Sequence, residues 1–289
     1  KPIRIGIVGV GKIVRDQHLP ALAGNADFEL VCAASRNATV DGIANFPTIE
    51  TMLAAVKDLD AVSLCMPPQY RYDAARKALE AGKHVFMEKP PGATVREVED
   101  LRDLAAAKRL SLFASWHSRY APAVEAARKF LAATRIKSAA IVWKEDVRRW
   151  HPNQDWIWQA GGLGVFDPGI NALSIATHIL PAMYVTEAAL DFPANKDAPV
   201  AARIAFRSAE GTPVTMDLDW LQTGPQSWDI LADTEAGKML LSSGGAKLSI
   251  DGKLVHEAPE REYPALYERF AEIVRAGRSD VDLAPLRIG

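Results

Sequence analysis

Short, almost unbroken apolar runs alternate with stretches of helical periodicity through the first third of the chain. Residues 3–8, 28–34, 61–65, 84–87 and 110–114 read as strands. Between them, residues 12–22, 48–56, 70–81 and 95–108 read as helices, with Leu101 and Leu104 on one face of the last. Strands separated by helices imply βαβ units, a parallel sheet and, with right-handed crossovers, a doubly wound fold.

The pattern changes after Trp116. A helix over 122–132 leads to a strand over 138–144, a Trp-rich loop and a short helix after Asp167. Strands then follow one another at 188–192, 200–208, 212–220, 227–233, 238–242 and 247–250, before a closing amphipathic helix over 264–276. Successive strands without helices between them predict a mostly antiparallel sheet. The expected architecture is therefore α/β, a doubly wound parallel sheet over residues 1–118 and an α+β domain with an open, mostly antiparallel sheet over 119–289.

The first strand ends in Gly9-Val10-Gly11-Lys12-Ile13-Val14. A glycine at position 9 allows the tight turn, and one at 11 lets backbone approach a pyrophosphate. The helix opened by Lys12 and Ile13 aims its free N–H groups at the anion. The third glycine of this dinucleotide fingerprint is replaced by Val14, which calls for wider helix–strand packing. At the head of a βαβ series the motif points to a Rossmann domain. The second strand ends in Ser35-Arg36, where an NAD-selective site places a carboxylate for the ribose 2′-hydroxyl. A hydroxyl and a guanidinium suit a 2′-phosphate, so NADP(H) is the expected cofactor and NAD(H) a tolerated one. Pro67, after another strand, is placed beside the nicotinamide ribose, with a rigid structural turn as the competing role.

Glu88-Lys89-Pro90 follows the strand over 84–87, at the sheet edge where a nicotinamide ring lies. An amine there can move protons. Together with Gly9 and Gly11 and the α+β second half, this motif resembles the glucose–fructose oxidoreductase and inositol dehydrogenase (Gfo/Idh/MocA) family. The resemblance covers essentially the whole chain. It implies an NAD(P)-dependent oxidoreductase of sugars or polyols, with Glu88 and Lys89 beside the cofactor. Many members carry an Asp and a His four residues apart in the second domain. The matching pair here is Asp167 and Asn171, and Asn cannot serve as a general base. Asp167 before Pro168 also reads as a helix N-cap.

The Asp-Pro-Gly-Ile-Asn variant, with Trp116-His117 and Trp150-His151-Pro152, is similar to the aldose 1-dehydrogenases within that family. That similarity implies oxidation of L-arabinose or D-galactose at C1 to the lactone, and Lys89 is the expected proton acceptor with Asp167 sharing the proton, the reverse assignment being the alternative. Trp150 and Trp228 are candidates to stack on a sugar ring, and His117 and Asn171 to hold its hydroxyls. Trp143 and Trp220 lie in strands and are expected in the core, and His178 is expected to be structural. The alternatives are another oxidoreductase of the family, acting on inositol, a diol or a keto-sugar, an NAD-dependent glycosidase on the same scaffold, and a non-catalytic NADP sensor.

Composition narrows the partners. The formal net charge of −2 argues against a nucleic-acid footprint and offers no polybasic membrane patch. The longest uncharged stretch, 168–186, contains Pro, Gly, Asn, Ser, Thr and His, unlike a membrane span. Cys32 and Cys65 lie in strand-like runs and are expected to be reduced, buried thiols rather than a disulfide or metal site. No signal-peptide pattern opens the sequence, both ends are expected to extend further, and a cytoplasmic location is expected. A long open sheet predicts a homo-oligomer, a dimer or tetramer.

Overall fold

The computed structural model describes residues 1–289. It divides into two units, Lys1–His117 with Tyr263–Leu286, and Ser118–Glu262 with Arg287–Gly289. No helix is long and apolar enough to cross a membrane.

The first unit is a six-stranded parallel sheet in the order β3-β2-β1-β4-β5-β6. Its strands are β1 (Ile3–Val8), β2 (Phe28–Ala34), β3 (Ala44–Phe46), β4 (Ala61–Leu64), β5 (His84–Met87) and β6 (Leu112–Ala114). Strands covered on both faces must be apolar throughout, and β4 is buried at every position. That is why these runs were legible as strands without alternation. The three-residue β3 was not expected, being too short to show a pattern. Position 14, where the fingerprint lacks its glycine, is fully buried, and the helix widens there into a π-turn, Val14–His18, before continuing as α1 (Leu19–Ala23).

One assignment needs correcting. The closing helix, Glu262–Ala276, belongs from Tyr263 onward with the first unit rather than with residues 119–289. Its aromatic face explains this. The Tyr267 ring stacks on Phe86 at 4.8 Å and 14°, and Phe270 stacks on Phe28 and Phe113 at 6.1 Å. Residues beyond it are bonded to β6, Asp280 N to Leu112 O at 2.9 Å and Ala114 N to Asp280 O at 3.0 Å. Amphipathicity reveals that a helix has a buried face, but not which domain receives it.

The second unit is built on an eight-stranded sheet, ordered β14-β13-β12-β11-β7-β10-β9-β8. The strands are β7 (Ile136–Lys144), β8 (Met183–Asp191), β9 (Ala201–Ser208), β10 (Pro213–Asp219), β11 (Ser227–Thr234), β12 (Gly237–Ser242), β13 (Lys247–Ile250) and β14 (Lys253–Glu257). All neighbours are antiparallel except β7 and β10, so the sheet is mixed but mostly antiparallel. One face alternates into a core with the helices Val124–Ala132 and Phe166–Ile179. Trp143 and Trp220 are buried in that core, as expected. β14 was missed although Asp251-Gly252, both at positive φ, forms the two-residue hairpin turn that joins it to β13. β8 begins five residues earlier than its expected start at 188. The helix after Asp167 is not short but fourteen residues long. Gly169 lets it lie close to the sheet, because a Cβ there would stand 2.6 Å from Leu218 Cδ1.

Replacing Phe270 by Ala empties the centre of the aromatic stack. Stability is expected to fall by about 3–5 kcal/mol, read as a lower denaturant midpoint with an unchanged slope. A loss no larger than that of a surface substitution would mean the closing helix is not part of this core.

Candidate active site

In the first unit the chain builds a cradle at the carboxyl ends of β1, β2 and β4. Gly9 sits at φ 86°, and a Cβ there would strike Met66 N at 2.8 Å. Gly11 has nothing within 4 Å of the position its Cβ would take, so the backbone is open to a ligand. The helix begins directly behind it, with Arg15 N donating to Gly11 O at 3.3 Å. Lys12 is exposed and paired with Asp16, and Ile13 is 37% exposed, an apolar surface beside the cradle. Gly9 N also donates to Ala34 O at 2.8 Å, which sets the turn beside the Ser35-Arg36 end of β2. Arg36 and Pro67 are exposed, and Ser35 is half-buried, with its N–H bonded to Phe46 O. These residues fit a dinucleotide: a tight turn, an open glycine, helix N–H groups and a cation at the neighbouring strand end.

Behind the cradle, Glu88 is buried and fully engaged. Its Oε1 accepts from Tyr263 Oη at 2.5 Å and lies 2.8 Å from His18 Nε2, while Oε2 accepts from Lys89 N at 3.0 Å. Burial alone would raise its pKa. The hydrogen bond and charge of His18, the charge of His117 and the Tyr263 hydroxyl outweigh that and bring it down to about 2. His18 is correspondingly held well above 6.5. Burial opposes this, but the charges of Cys65 and Tyr267 and the bonds to Cys65 and Glu88 prevail. Its other nitrogen lies 2.5 Å from Tyr267 Oη, which in turn meets Ser63 Oγ at 2.8 Å. Cys65 is thus half-buried and 3.6 Å from His18 Nε2, not the fully buried thiol expected.

Arg71, also buried, completes the strap. It donates to the carbonyls of Glu88 (2.8 Å), Pro90 and Met66, tying the cis Lys89–Pro90 segment to the loop after β4. Burial lowers its pKa to about 10 against the opposing charges of Glu88, Cys65 and Tyr263. Glu88 was expected beside the cofactor, but its carboxylate is turned into this network, where it holds the backbone of Lys89. His18, Arg71 and Tyr263 were not singled out from sequence. The lone buried histidine of the fingerprint helix offered no local signal, and Tyr263 arrives from 175 residues away. His117, also in the first unit, stacks on Tyr263 at 5.6 Å and 24°.

The second unit supplies a carboxylate among aromatic rings. Asp167 is buried and sits inside the helix Phe166–Ile179, whose N-cap is Val165. It is therefore not the N-cap the Asp-Pro pair suggested. Gly169 N already bonds Val165 O at 3.0 Å, and the Asp167 side chain turns instead to His151, with Oδ2 3.3 Å from Nε2. Asn171 lies one turn further along the same helix, half-buried. Trp150 and Trp228 are brought together as an edge-to-face pair at 6.0 Å, with Trp150 45% exposed. Glu145, buried, accepts from Trp228 Nε1 at 2.8 Å and from Trp220 Nε1 at 3.1 Å, fixing both indoles. Trp150 Nε1 donates to Gln226 Oε1 at 2.7 Å. His151 and Glu145 were overlooked. His151 had been noticed only as a neighbour of Trp150, and a glutamate at a strand end gives no sign that it turns inward. His178 is exposed and lies 3.8 Å from Glu125.

Residues 3–115 match the Gfo/Idh/MocA oxidoreductase family, NAD-binding Rossmann fold. A galactose 1-dehydrogenase of Pseudomonas fluorescens is 44% identical over 291 residues, covering 100% of this chain and 94% of that protein. The crystal structure of a D-galactose-1-dehydrogenase from Rhizobium etli matches with a TM-score of 0.97 at 69% identity, over 99% of this chain and 92% of that one. A 3-ketoreductase from Actinomadura kijaniata, solved with NADP and TDP-benzene, shares the fold at 20% identity and a TM-score of 0.85, over 99% of this chain and 93% of its own.

The buried Glu88–His18 pair gives stability a two-sided pH dependence. The share due to Glu88 is complete above its unfolded pKa of about 4.3 and is lost as pH falls toward about 2. The share due to His18 is complete below about 6.5 and is lost as pH rises through its elevated folded value. Urea unfolding across this range is expected to show both limbs in the parent protein. Glu88→Gln is expected to lose the acid limb and about 3–5 kcal/mol at neutral pH, since it leaves a buried cation without its partner. Identical acid limbs in the two proteins would rule out this account.

Proposed function

The chain belongs to the Gfo/Idh/MocA oxidoreductase family, and on that premise we propose that it is an NADP-preferring aldose 1-dehydrogenase acting on D-galactose and L-arabinose. The observation that carries the reading is the full-length likeness to galactose 1-dehydrogenases. The indole pair and the buried carboxylate of the second unit support it. Sugar rings present C–H faces that stack on indoles, and their hydroxyls need fixed acceptors.

The bound nicotinamide supplies the hydride acceptor, and the protein supplies orientation and proton transfer. Gly9, Gly11, Lys12 and Ile13 hold the pyrophosphate side of the dinucleotide. Ser35 and Arg36 take the 2′-phosphate, and Pro67 flanks the ribose. Glu88 acts through the backbone of Lys89. The C1 hydroxyl gives its proton to the Lys89 amine while the C1 hydrogen leaves with its electron pair, so the sugar becomes the lactone. Asp167 orients that hydroxyl and shares the proton. His117 and Asn171 fix neighbouring hydroxyls, and Trp150 and Trp228 form the stacking wall.

The first unit is thus the cofactor domain, and the second carries substrate recognition and self-association. The sheet face opposite the helices bears the partly exposed Val142, Thr215 and Leu231, an uncovered surface that suits pairing with a second copy.

Purified protein mixed with NADP⁺ or NAD⁺ and a panel of aldoses is expected to reduce the cofactor with D-galactose and L-arabinose, faster with NADP⁺. Lys89→Ala is expected to lower kcat about 100- to 10,000-fold. Arg36→Ala is expected to raise the KM for NADP⁺ about 10- to 100-fold while sparing NAD⁺, as loss of one charge-assisted bond of about 1.5–3 kcal/mol would. Cofactor binding without turnover of any aldose would discard the sugar reading.

A further inference from the structure

We propose that His151 is the proton-holding partner of Asp167, supplying from a separate loop the imidazole that position 171 lacks. The inference rests on the aldose 1-dehydrogenase reading and adds to it a residue and a route for the proton.

Three observations within the second unit converge on this histidine. Its Nε2 lies 3.3 Å from Asp167 Oδ2. Its Nδ1 lies 3.1 Å from Gln154 Oε1. Its ring meets the edge of the buried Trp220 at 5.3 Å, and Trp220 is itself fixed by Glu145. The ring is therefore held on three sides, with one nitrogen committed to the carboxylate.

Hydrogen-bond bookkeeping then fixes what the pair can carry. A carboxylate only accepts, so Nε2 must bear a proton when it faces ionised Asp167. If Gln154 presents its oxygen, Nδ1 must also donate, and the ring is an imidazolium. If the amide turns to present its NH₂, Nδ1 accepts and the ring is neutral. Gln154 can satisfy both forms with one amide rotation. The partners of the ring thus accommodate it with or without one further proton.

That is the capacity the reaction needs. The C1 hydroxyl proton, in which Asp167 shares, comes to rest on His151, while the C1 hydrogen leaves with its electron pair. Asp167 faces the ring from the helix Phe166–Ile179, and on the other side His151 lines a cavity of about 310 Å³ with Arg148, Pro152, Gln154, Asp155 and Trp158. The cavity gives the proton a way out to water. His151 acts through Asp167, so it is a positioning residue in the proton path.

The test compares the parent enzyme, His151→Gln and His151→Ala, each with NADP⁺ and D-galactose. Turnover by the parent enzyme establishes the reading beneath the proposal, and its absence discards both. Gln keeps a donor toward Asp167 but cannot be protonated. His151→Gln is therefore expected to lower kcat about tenfold or more while leaving the KM for D-galactose within about threefold. Far-UV dichroism and NADP⁺ binding serve as controls for folding. Imidazole added to His151→Ala, which has room for it in the vacated cavity, is expected to restore kcat at least about threefold. Parent-like kcat in His151→Gln, a rise in KM alone, or a loss in His151→Ala that imidazole does not relieve would each overturn the proposal.

Discussion

A carboxylate buried beneath the Glu88-Lys89-Pro90 strap constrains everything around it. An ion of this kind loses its water on folding, and the loss is tolerable only when charge and donors replace it. Here the replacements come from three places in the sequence: His18 in the fingerprint helix, Tyr263 in the closing helix, and the amide of Lys89 itself. Because each group is needed to satisfy Glu88, the two ends of the chain and β5 are locked into one arrangement. The lysine that follows is then carried on a backbone with little freedom, and Arg71 removes what remains by holding the carbonyls on either side. The aromatic stack of Phe86, Tyr267 and Phe270 lies directly against this polar centre and keeps its local dielectric low.

The second unit solves a similar problem with different parts. Glu145 is buried with two indole N–H groups on its two oxygens, so a charge is spent on orienting rings rather than on chemistry. The consequence reaches Asp167 through two contacts: Trp220 sets His151, and His151 faces the carboxylate. Gly169 completes the arrangement from below, letting the helix that carries Asp167 settle onto β10. In both units a buried acid organises its surroundings so that a neighbouring functional group is held in place.

Much of this was legible in the sequence, and the limits have physical causes. Parallel strands covered on both faces announce themselves as apolar runs, and Gly9 marks a turn that only glycine tolerates beside Met66. Lys89 and Asp167 stood out because of their motifs, and Trp143 and Trp220 could be assigned to the core from their strands. What escaped were the partners: His18, Tyr263, Arg71, His151 and Glu145. Each acts through a contact between segments distant in the chain, or through a side chain that turns inward where local pattern predicts outward. The Asp167 N-cap failed because the helix starts before it, with Val165 as the cap, and the buried carboxylate faces His151 at 3.3 Å. The closing helix was recognised as a helix but given to the wrong unit, because amphipathic spacing carries no address.

The division of labour between the two units bears on selectivity. The strap and cradle would serve any substrate whose carbon gives up a hydride, so under the proposed function discrimination falls to the second unit's Trp150, Trp228, Asp167 and Asn171. An indole face reads the presence of a C–H surface but not its full extent. D-Galactopyranose and L-arabinopyranose differ only by an exocyclic CH₂OH, and an apolar wall separates such a pair by about 1–3 kcal/mol at most. Under the proposed function, inverting a ring hydroxyl is different in kind, because it would leave a buried acceptor such as Asp167 without its donor. The proposed site, built from an edge-to-face indole pair and oriented acids, would therefore be strict about stereochemistry and lenient about the substituent at C5, a property that follows from the chemistry of its walls rather than from the size of any cavity.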